Sequence, residues 1–437
     1  MRIDINSKSL ILSSFIILLI SACGSETPTP TQPPTTPPPA VTISGPTATQ
    51  PPPAVTLTGP TEPAATLAPQ PTAQAIIGPE TYPAGINPLT GLPADEAALN
   101  HRVLAIKISN FPRYVRPQFG LSLADIVFEH YAEGGTTRFT AVYYGQNADR
   151  IGPIRSARLI DTVIPEMFKA ALVASGSSTG VLQKLGFKDW FNLVVAETTG
   201  YQCPILLCME SEDANSLYAS TAAIRQVLAA KGLDTRQPFR GVAYFSQPPG
   251  GGVPVNSLRV EYSGEARTEW LYNAVSGRYE RYNEKDSAEM QAHFDAGNNQ
   301  QISAANVVVL FVPHVVDFSI PEDFDTDGFT GHFSTEVQLW ATGSAWLLRD
   351  GQAHLATWVR LNAGDMVGLV DAANQIIPLK PGNTWYQVVG LYSESVTDGS
   401  SWLVRHKSPK DKGEIPGVPT PTPTVEGAPT PEGTPTP

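Results

Sequence analysis

Three arginines within nine positions are the residues of this sequence best suited to chemistry. Arg150, Arg155 and Arg158 surround a Gly-Pro pair in the stretch RIGPIRSARLID. Guanidinium groups donate paired hydrogen bonds to planar anions such as carboxylates and phosphates. If the chain turns helical after Pro153, Arg155 and Arg158 share a face, because residues three apart are neighbours on a helix.

A serine-rich loop offers a second set of groups for an anion. The stretch ALVASGSSTGVLQKL predicts a short apolar strand, a loop and then a helix. Backbone N–H groups at the start of a helix bind anions, and ligands of open α/β sheets bind at strand ends. Together with two arginines upstream, the loop predicts an anion-binding site made of Arg116, Arg138, Arg155, Arg158, Ser177 and Ser178.

The arginines have a second interpretation, as internal ion pairs of a scaffold or assembly protein. Four acidic residues lie close to them in the sequence, namely Asp125, Glu129, Glu133 and Asp161. Structural ion pairs of this kind occur without any ligand, so the spacing alone leaves both interpretations open.

The loop also has a second interpretation, because residues 176–180 form a literal G-x-S-x-G. In a strand–turn–helix context this pattern can place a nucleophilic serine, here Ser178, in a hydrolase. That chemistry also needs an acid and a histidine from elsewhere in the chain. A helix cap formed by Ser178 or Thr179 is the simpler interpretation.

Composition and missing motifs narrow the function classes. The formal net charge of the 437 residues is −12, so a basic face for nucleic acid is not expected. The sequence has no P-loop, no H-E-x-x-H, no complete dinucleotide fingerprint and no EF-hand loop, so we predict no metal and no other cofactor. The stretch DFDTDGF lacks the closing Glu of a calcium loop and predicts a surface loop.

The N-terminus predicts a lipid anchor. A region with Arg2 and Lys8 precedes an apolar run of about a dozen residues, which is too short for a spanning helix. The run ends in Ser21-Ala22-Cys23-Gly24, which resembles the lipobox of bacterial lipoproteins. We therefore predict a signal peptide over residues 1–22 and a lipidated Cys23, with palmitate or a related chain. This lipid would hold the protein at the extracytoplasmic face of the cell membrane.

Proline and threonine dominate two further segments. Residues 23–81 predict a disordered stalk and residues 407–437 a disordered tail, since neither composition can bury a core. Outside the cytoplasm, Cys203 and Cys208 in CPILLC are expected to form a disulfide.

The part between these segments predicts an α+β protein. Residues 82–250 have the pattern of an α/β domain, and residues 251–406 that of a mostly antiparallel β-rich domain. In the first domain, ANSLYASTAAIRQVLAAKG predicts the best helix, capped by Asp213 or Asn215 and ended by Gly232. In the second, SLRVEYS, NVVVLFV and QIIPLKP predict strands, and LRDGQA predicts a hairpin turn.

Four motifs in order resemble the YerB-type family of bacterial lipoproteins: NPLTGLP, RPQFGLSLADIVFE, EGGTTRF and IGPIRSAR. NVVVL, LATWVR and KPGNTW resemble its C-terminal half. The family carries the number 3048 among domains of unknown function, so the resemblance implies a two-part lipoprotein but no established reaction. It also implies that Ser178 matches a serine of the family's turn and that Gly180 lies outside that turn, which weakens the hydrolase interpretation. A Pro-His-Asn common in the family is replaced here by Asp213-Ala214-Asn215, so the family's histidine is missing.

We expect an extracytoplasmic, membrane-anchored lipoprotein that is a binding module rather than an enzyme. Its partner would be an anionic cell-envelope polymer or another protein. The alternatives are a serine hydrolase acting through Ser178 and a scaffold or assembly lipoprotein without a small ligand.

Overall fold

The structure of the protein is a computed structural model, which describes residues 75–203, 206–286 and 289–418. The predicted signal peptide 1–22, the lipidation residue Cys23 and most of the predicted stalk and tail lie outside the described residues. None of the helices within the described ranges is long and apolar enough to cross a membrane.

Helices are short and strands dominate the described residues. The α-helices are α1 (Glu96–Leu99), α2 (Ile164–Met167), α3 (Thr179–Gly186) and α4 (Thr221–Ala230). Single 3-10 turns occur at Arg113–Val115, Leu121–Leu123, Leu159–Thr162, Phe191–Leu193 and Glu197–Thr199. The strands are β1 (Leu104–Ser109), β2 (Ile126–Ala132), β3 (Thr136–Tyr143), β4 (Ala171–Val173), β5 (Val194–Val195), β6 (Val253–Pro254), β7 (Ser257–Glu261), β8 (Arg267–Asn273), β9 (Arg278–Glu284), β10 (Met290–Ala292), β11 (Ser303–Ala304), β12 (Asn306–Val312), β13 (His314–Pro321), β14 (Thr330–Val337), β15 (Ala341–Arg349), β16 (Gln352–Arg360), β17 (Gly368–Val370), β18 (Thr384–Gly390), β19 (Glu394–Asp398), β20 (Ser401–Arg405) and β21 (Lys412–Glu414).

Eleven of the described strands form one large mixed sheet. Their order is β17-β16-β15-β12-β18-β2-β3-β1-β4-β5, with β6 paired to β16. Strand β18 lies parallel to β12 on one side and parallel to β2 on the other, so it joins the two halves of the chain. Strands β1 and β4 are also parallel, and their carboxyl ends therefore reach the same edge of the sheet.

Both faces of the large sheet are buried. A second sheet, with seven described strands in the order β10-β9-β8-β7-β20-β19 and β11 on β9, shares a core with one face. In that core Trp270 and Trp385 meet edge to face, with ring centroids 5.3 Å apart. On the other face Phe128 packs with Ile164 and Met167 of α2. Burial on both faces explains why β12 reads as the continuous apolar run NVVVLFV.

A third sheet, β13-β14-β21 among the described strands, packs beside α3. Ile320 of β13 shares a small core with Val181 and Leu185 of α3. A Cβ on Gly180 would lie 2.6 Å from Cγ1 of Ile320, so the first turn of α3 approaches β13 closely because Gly180 has no side chain. Gly180, the second glycine of G-x-S-x-G, therefore allows α3 and β13 to pack closely.

The α+β fold class predicted from the sequence is confirmed. SLRVEYS and NVVVLFV contain the strands β7 and β12, and LRDGQA forms the turn between β15 and β16. QIIPLKP forms no strand, so that prediction is wrong: Ile376 and Leu379 make only isolated bridges to Val370 and Tyr244. Pro378, between them, has no N–H to continue a ladder.

The best predicted helix is shorter than its pattern suggests. Helix α4 begins at Thr221 and is capped by Ser220, so a start with Asp213 or Asn215 as the cap is wrong. Leu217 precedes the helix because its carbonyl accepts a hydrogen bond from the N–H of Ile154, at 2.7 Å. That pairing holds the chain extended until Ser220.

The folded part is longer than predicted at both ends. Ile77 and Tyr244 exchange backbone hydrogen bonds of 2.9 and 2.8 Å, so residues 75–81 are not stalk. Strand β21 pairs with β14, and Asp411 is 6% exposed, so residues 407–418 are not tail. The predicted domain boundary near residue 250 lies in a loop, while strands before and after it share the large sheet. The described residues belong to one compact unit.

Four histidines of this fold are held neutral by burial. His130, His293 and His406 are at most 8% exposed, and burial, the largest cause, holds the pKa of each well below its ordinary value. Burial also lowers the pKa of His314, to about 4. The native protein therefore leaves these rings unprotonated at a pH at which the unfolded chain protonates them.

We expect the free energy of unfolding to fall as the pH is lowered from 7 to 5. Below the ordinary histidine pKa of about 6.5 the unfolded chain binds protons that the native chain does not. Each such ring contributes a slope of up to about 1.4 kcal/mol per pH unit. Urea unfolding across this range measures how the free energy of unfolding changes with pH. In His314→Phe this slope should be smaller by the contribution of one ring, up to about 1.4 kcal/mol per pH unit. An unchanged slope in that variant contradicts the assignment.

Candidate functional site

Five of the six residues predicted to bind an anion line one cleft of about 580 Å³. We call it the arginine cleft and define it by these five residues: Arg138, Arg155, Arg158, Ser177 and Ser178. The cleft is also lined by acidic and histidine side chains: Glu133, Glu322, Asp323 and His332.

The cleft lies where strands of the large sheet end. The chain leaves β4 through Ser177 and Ser178 and enters α3. Arg138 stands on β3 directly opposite Ser109, the last residue of the neighbouring β1. Because β1 and β4 are parallel, both lead into the cleft at their carboxyl ends. This edge is the usual place for a ligand in an open α/β sheet.

The segment with Arg155 and Arg158 is extended, so the helical interpretation of this segment is wrong. The N–H of Arg155 donates to the carbonyl of Lys107 at 3.0 Å, and its carbonyl accepts from the N–H of Ser175 at 3.1 Å. These bonds occupy the backbone groups that a helix would pair internally. A 3-10 turn starts only after Arg158, whose N–H donates to Oδ2 of Asp161 at 2.7 Å.

A buried ion pair holds this segment at both ends. Nζ of Lys107 lies 2.7 Å from Oδ2 of Asp161, and both side chains are fully buried. Burial lowers the pKa of Lys107 to about 8, while the charge of Asp161 opposes the shift. The same two residues accept the N–H groups of Arg155 and Arg158. Sequence analysis missed Lys107, because a lysine inside an apolar strand pattern carries no ligand signature.

Arg158 is an internal ion-pair residue. Its Nε donates to Oε2 of Glu133 at 2.5 Å, and its Nη1 lies 3.3 Å from Oε2 of Glu322. The two carboxylate side chains are only 5% and 2% exposed. Burial alone would lower the pKa of Arg158, but the two carboxylates outweigh burial and the pKa is raised.

Arg138 and Arg155 differ from Arg158, because neither has a carboxylate within ion-pair distance in the described ranges. Nη1 of Arg138 donates to the carbonyl of Ser156 at 2.6 Å, and Nη1 of Arg155 donates to the carbonyl of Ala214 at 3.3 Å. Burial, followed by the charge of Arg158, lowers the pKa of Arg138 to about 9 and also lowers that of Arg155. A bound anion would offset both effects.

Ser178 caps α3, as the simpler interpretation of the loop predicts. Its Oγ accepts from the N–H of Val181 at 3.5 Å and donates to Oε1 of Glu322 at 3.0 Å. No histidine is among its hydrogen-bond partners in the part of the chain that the structure describes. Oγ of Ser177 is buried in the cleft wall and has no partner among those residues.

Two arginines that the sequence analysis singles out lie outside the cleft. Arg116, predicted as part of the anion site, is not in it: its Nη1 lies 2.8 Å from Oε1 of Glu284, and its side chain is 5% exposed. Arg150 donates from both Nη atoms to Glu210, at 2.7 and 2.6 Å, and lies over the ring of Tyr218. Both guanidinium groups therefore have carboxylate partners of their own.

The other predicted features are structural. Cys203 and Cys208 are joined by a disulfide, with Cα atoms 4.7 Å apart. The acidic stretch DFDTDGF lies between β13 and β14, and Asp327 in it accepts from the N–H groups of Phe329 and Thr330. Within the described residues no group of three or more His, Cys, Asp or Glu side chains is arranged to hold a metal ion.

Comparison with known proteins places the chain within a recognised family. The model described as "Protein of unknown function (DUF3048) N-terminal domain" matches residues 89–234. The model described as "Protein of unknown function (DUF3048) C-terminal domain" matches residues 258–386. The two matches together span more than half of the chain. The chain belongs to this family. The first match contains the arginines of the cleft, and the second contains Glu322 and His332.

One similar protein is described as a lipoprotein, and one solved structure supports the fold. "Putative lipoprotein YerB" of Bacillus subtilis (strain 168) is 26% identical over 317 residues, which cover 71% of this chain and 88% of that protein. A crystal structure of YerB protein from Bacillus subtilis matches with a TM-score of 0.57 and 23% identity, over 70% of this chain and 96% of that one. At this identity the structural match shows the fold alone.

We expect opposite stability effects from replacing two arginines of the cleft. Arg158→Met leaves Glu133 and Glu322 buried without a counter-charge, which should cost about 3–5 kcal/mol of unfolding free energy. Arg138→Met removes a guanidinium whose charge the fold disfavours, so stability should stay within about 1 kcal/mol of the wild type or rise. Urea unfolding at neutral pH measures both. Equal losses in the two variants would show that the arginines do not differ in role.

Proposed function

We propose that this chain is a lipid-anchored, extracytoplasmic binding protein whose arginine cleft holds an anionic group of a cell-envelope polymer. The observation that carries this proposal is the pair Arg138 and Arg155, which line the cleft without a carboxylate partner among the described residues. Buried charges are ordinarily paired, so two partly buried guanidinium groups without carboxylates favour an anion supplied from outside.

Further features of the cleft support an anion. Ser178, the N-cap residue of α3, lines the cleft, and backbone N–H groups at the start of a helix favour negative charge nearby. The buried hydroxyl of Ser177 has a hydrogen bond to offer. The position at the carboxyl ends of β1 and β4 is where ligands of such sheets bind.

The two alternatives are supported less well. A serine hydrolase needs a base beside its nucleophile, whereas the hydroxyl of Ser178 is hydrogen-bonded to Glu322 and to the N–H of Val181. Glu322 is in turn paired with Arg158 and accepts a hydrogen bond from Ser334, so contacts within the fold account for this carboxylate. The scaffold interpretation accounts for Arg158 but leaves Arg138 and Arg155 without a role.

Anchoring through Cys23 completes the proposal. The lipobox-like Ser21-Ala22-Cys23-Gly24 and the lipoprotein description of the Bacillus subtilis relative support it. Expressed in a bacterial host, the wild-type chain should sediment with membranes and incorporate labelled palmitate. Cys23→Ser should do neither, since acyl chains supply the membrane affinity. Label in the variant, or its retention on membranes, would refute anchoring at this residue.

We expect the full-length protein in detergent to be stabilised by an oligomer with isolated negative charges. The probes are a glycerol phosphate trimer, whose anions are phosphodiesters, and a galacturonate trimer, whose anions are carboxylates. A site filled at 100 times Kd adds about 2.7 kcal/mol, which is a shift of several degrees in Tm. A shift of Tm with one probe identifies whether the cleft binds a phosphodiester or a carboxylate.

Arg155→Met should abolish the shift, because the pair of guanidinium groups is then incomplete. Arg236→Met is the matched control, since Arg236 forms an exposed ion pair with Glu96 outside the cleft. If neither trimer shifts Tm, or if Arg155→Met keeps the full shift, the proposed function is wrong.

A further inference from the structure

We propose that Glu133 and Glu322 restrict the arginine cleft to ligands whose negative charges are single and well separated, such as the phosphodiesters of a polyol phosphate. Chains of directly joined phosphates are disfavoured. This inference rests on the proposed function and adds the class of ligand to it.

The charges of the cleft divide it into two parts. Arg138 and Arg155 are available to an anion, whereas Arg158 is paired with two carboxylates, Glu133 and Glu322, which outnumber its single positive charge. The charge of Arg158 acts on both Arg138 and Arg155, so the carboxylate-rich part of the cleft lies beside the open part. A single oxyanion at Arg138 and Arg155 therefore has two carboxylates as its neighbours.

A second negative charge directly joined to the first would meet those carboxylates. In tripolyphosphate adjacent phosphates share a bridging oxygen, so the next charge cannot avoid the walls of the cleft. Like charges brought together in a binding site cost several kcal/mol, and natural sites use such repulsion to reject wrong partners. In a glycerol phosphate chain the three-carbon unit separates the charges, so the next phosphodiester can remain outside the cleft.

The position of Glu322 is fixed by two hydroxyl groups. Ser178 donates to Oε1 of Glu322 at 3.0 Å, and the hydroxyl of Ser334 donates to the same atom. Oε2 is left for Arg158, at 3.3 Å. The Glu322 side chain is 2% exposed, so it has little freedom to turn away from a ligand. Ser178 is on this account a positioning residue, which orients a carboxylate that selects ligands.

The test compares two probes on the full-length protein in detergent by isothermal titration calorimetry. The glycerol phosphate trimer has separated charges, and tripolyphosphate has joined charges. We expect the wild type to bind the glycerol phosphate trimer at least as tightly as tripolyphosphate, although tripolyphosphate carries more charge. Glu322→Gln keeps the shape and the hydrogen bond from Ser178 but removes the negative charge, which leaves Glu133 as the carboxylate partner of Arg158. It should tighten tripolyphosphate binding by about tenfold or more relative to the trimer.

Matched variants separate the outcomes. Glu96→Gln, in an exposed ion pair away from the cleft, should leave the ratio of the two affinities unchanged. Ser178→Ala should shift the ratio toward tripolyphosphate, by less than Glu322→Gln does. If Glu322→Gln does not fold, the ratio in Ser178→Ala tests the selection by Glu322.

Three results would count against these proposals, and they distinguish the selection by Glu322 from the proposed function. Tighter wild-type binding of tripolyphosphate than of the trimer, or a ratio that neither variant moves, overturns the selection by Glu322 and leaves the proposed function intact. Absence of binding by both probes in the wild type overturns this inference, and it overturns the proposed function as well if the galacturonate trimer also fails to bind.

Discussion

The parallel pairing of β18 with β2 and β12 is the constraint on which the rest of the structure depends. It inserts a strand from residues 384–390 beside one from residues 126–132, so the two halves of the chain share a sheet and a core. The same arrangement brings β13 and β14 alongside α3, where Ile320 packs against Val181. Glu322 follows β13 directly, so the cleft takes a carboxylate from the C-terminal half and its arginines from the N-terminal half. Without that shared sheet Arg158 would lack one of its two partners.

Within the cleft, the same residue type performs two different tasks because of its neighbours. Arg158 is surrounded by carboxylates and stabilises the fold, whereas Arg138 and Arg155 are disfavoured by burial and by the charge of Arg158. Two partly buried guanidinium groups without carboxylates lower the stability of the fold, and under the proposed function this is the consequence of keeping charge available for a ligand. The Lys107–Asp161 pair opposes this loss of stability, because it fixes the backbone that carries Arg155 and Arg158.

Sequence reasoning succeeded where the signal was local. Strand patterns such as NVVVLFV and the cap at Ser178 follow from short-range features. The convergence of the GSSTG loop with Arg138, Arg155 and Arg158 follows from the general rule that ligand groups gather at the strand ends of an open sheet. It failed where a distant partner decides the outcome. The residues before Ser220 are extended because Leu217 pairs with Ile154, and no helical periodicity reveals that. Glu322 is 144 positions from Ser178, and a single sequence gives no means of pairing them. Arg116 has the same sequence signal as the other arginines, but it pairs with Glu284, which is far away in the sequence.

The most direct measurement is a crystal structure of the protein with the glycerol phosphate trimer bound. The account predicts one phosphodiester within hydrogen-bond distance of both Arg138 and Arg155, with Arg158 still held between Glu133 and Glu322. A trimer bound elsewhere on the surface would contradict the account. So would a cleft in which Arg138 and Arg155 are themselves paired with carboxylates of the chain, because those two guanidinium groups would then need no ligand.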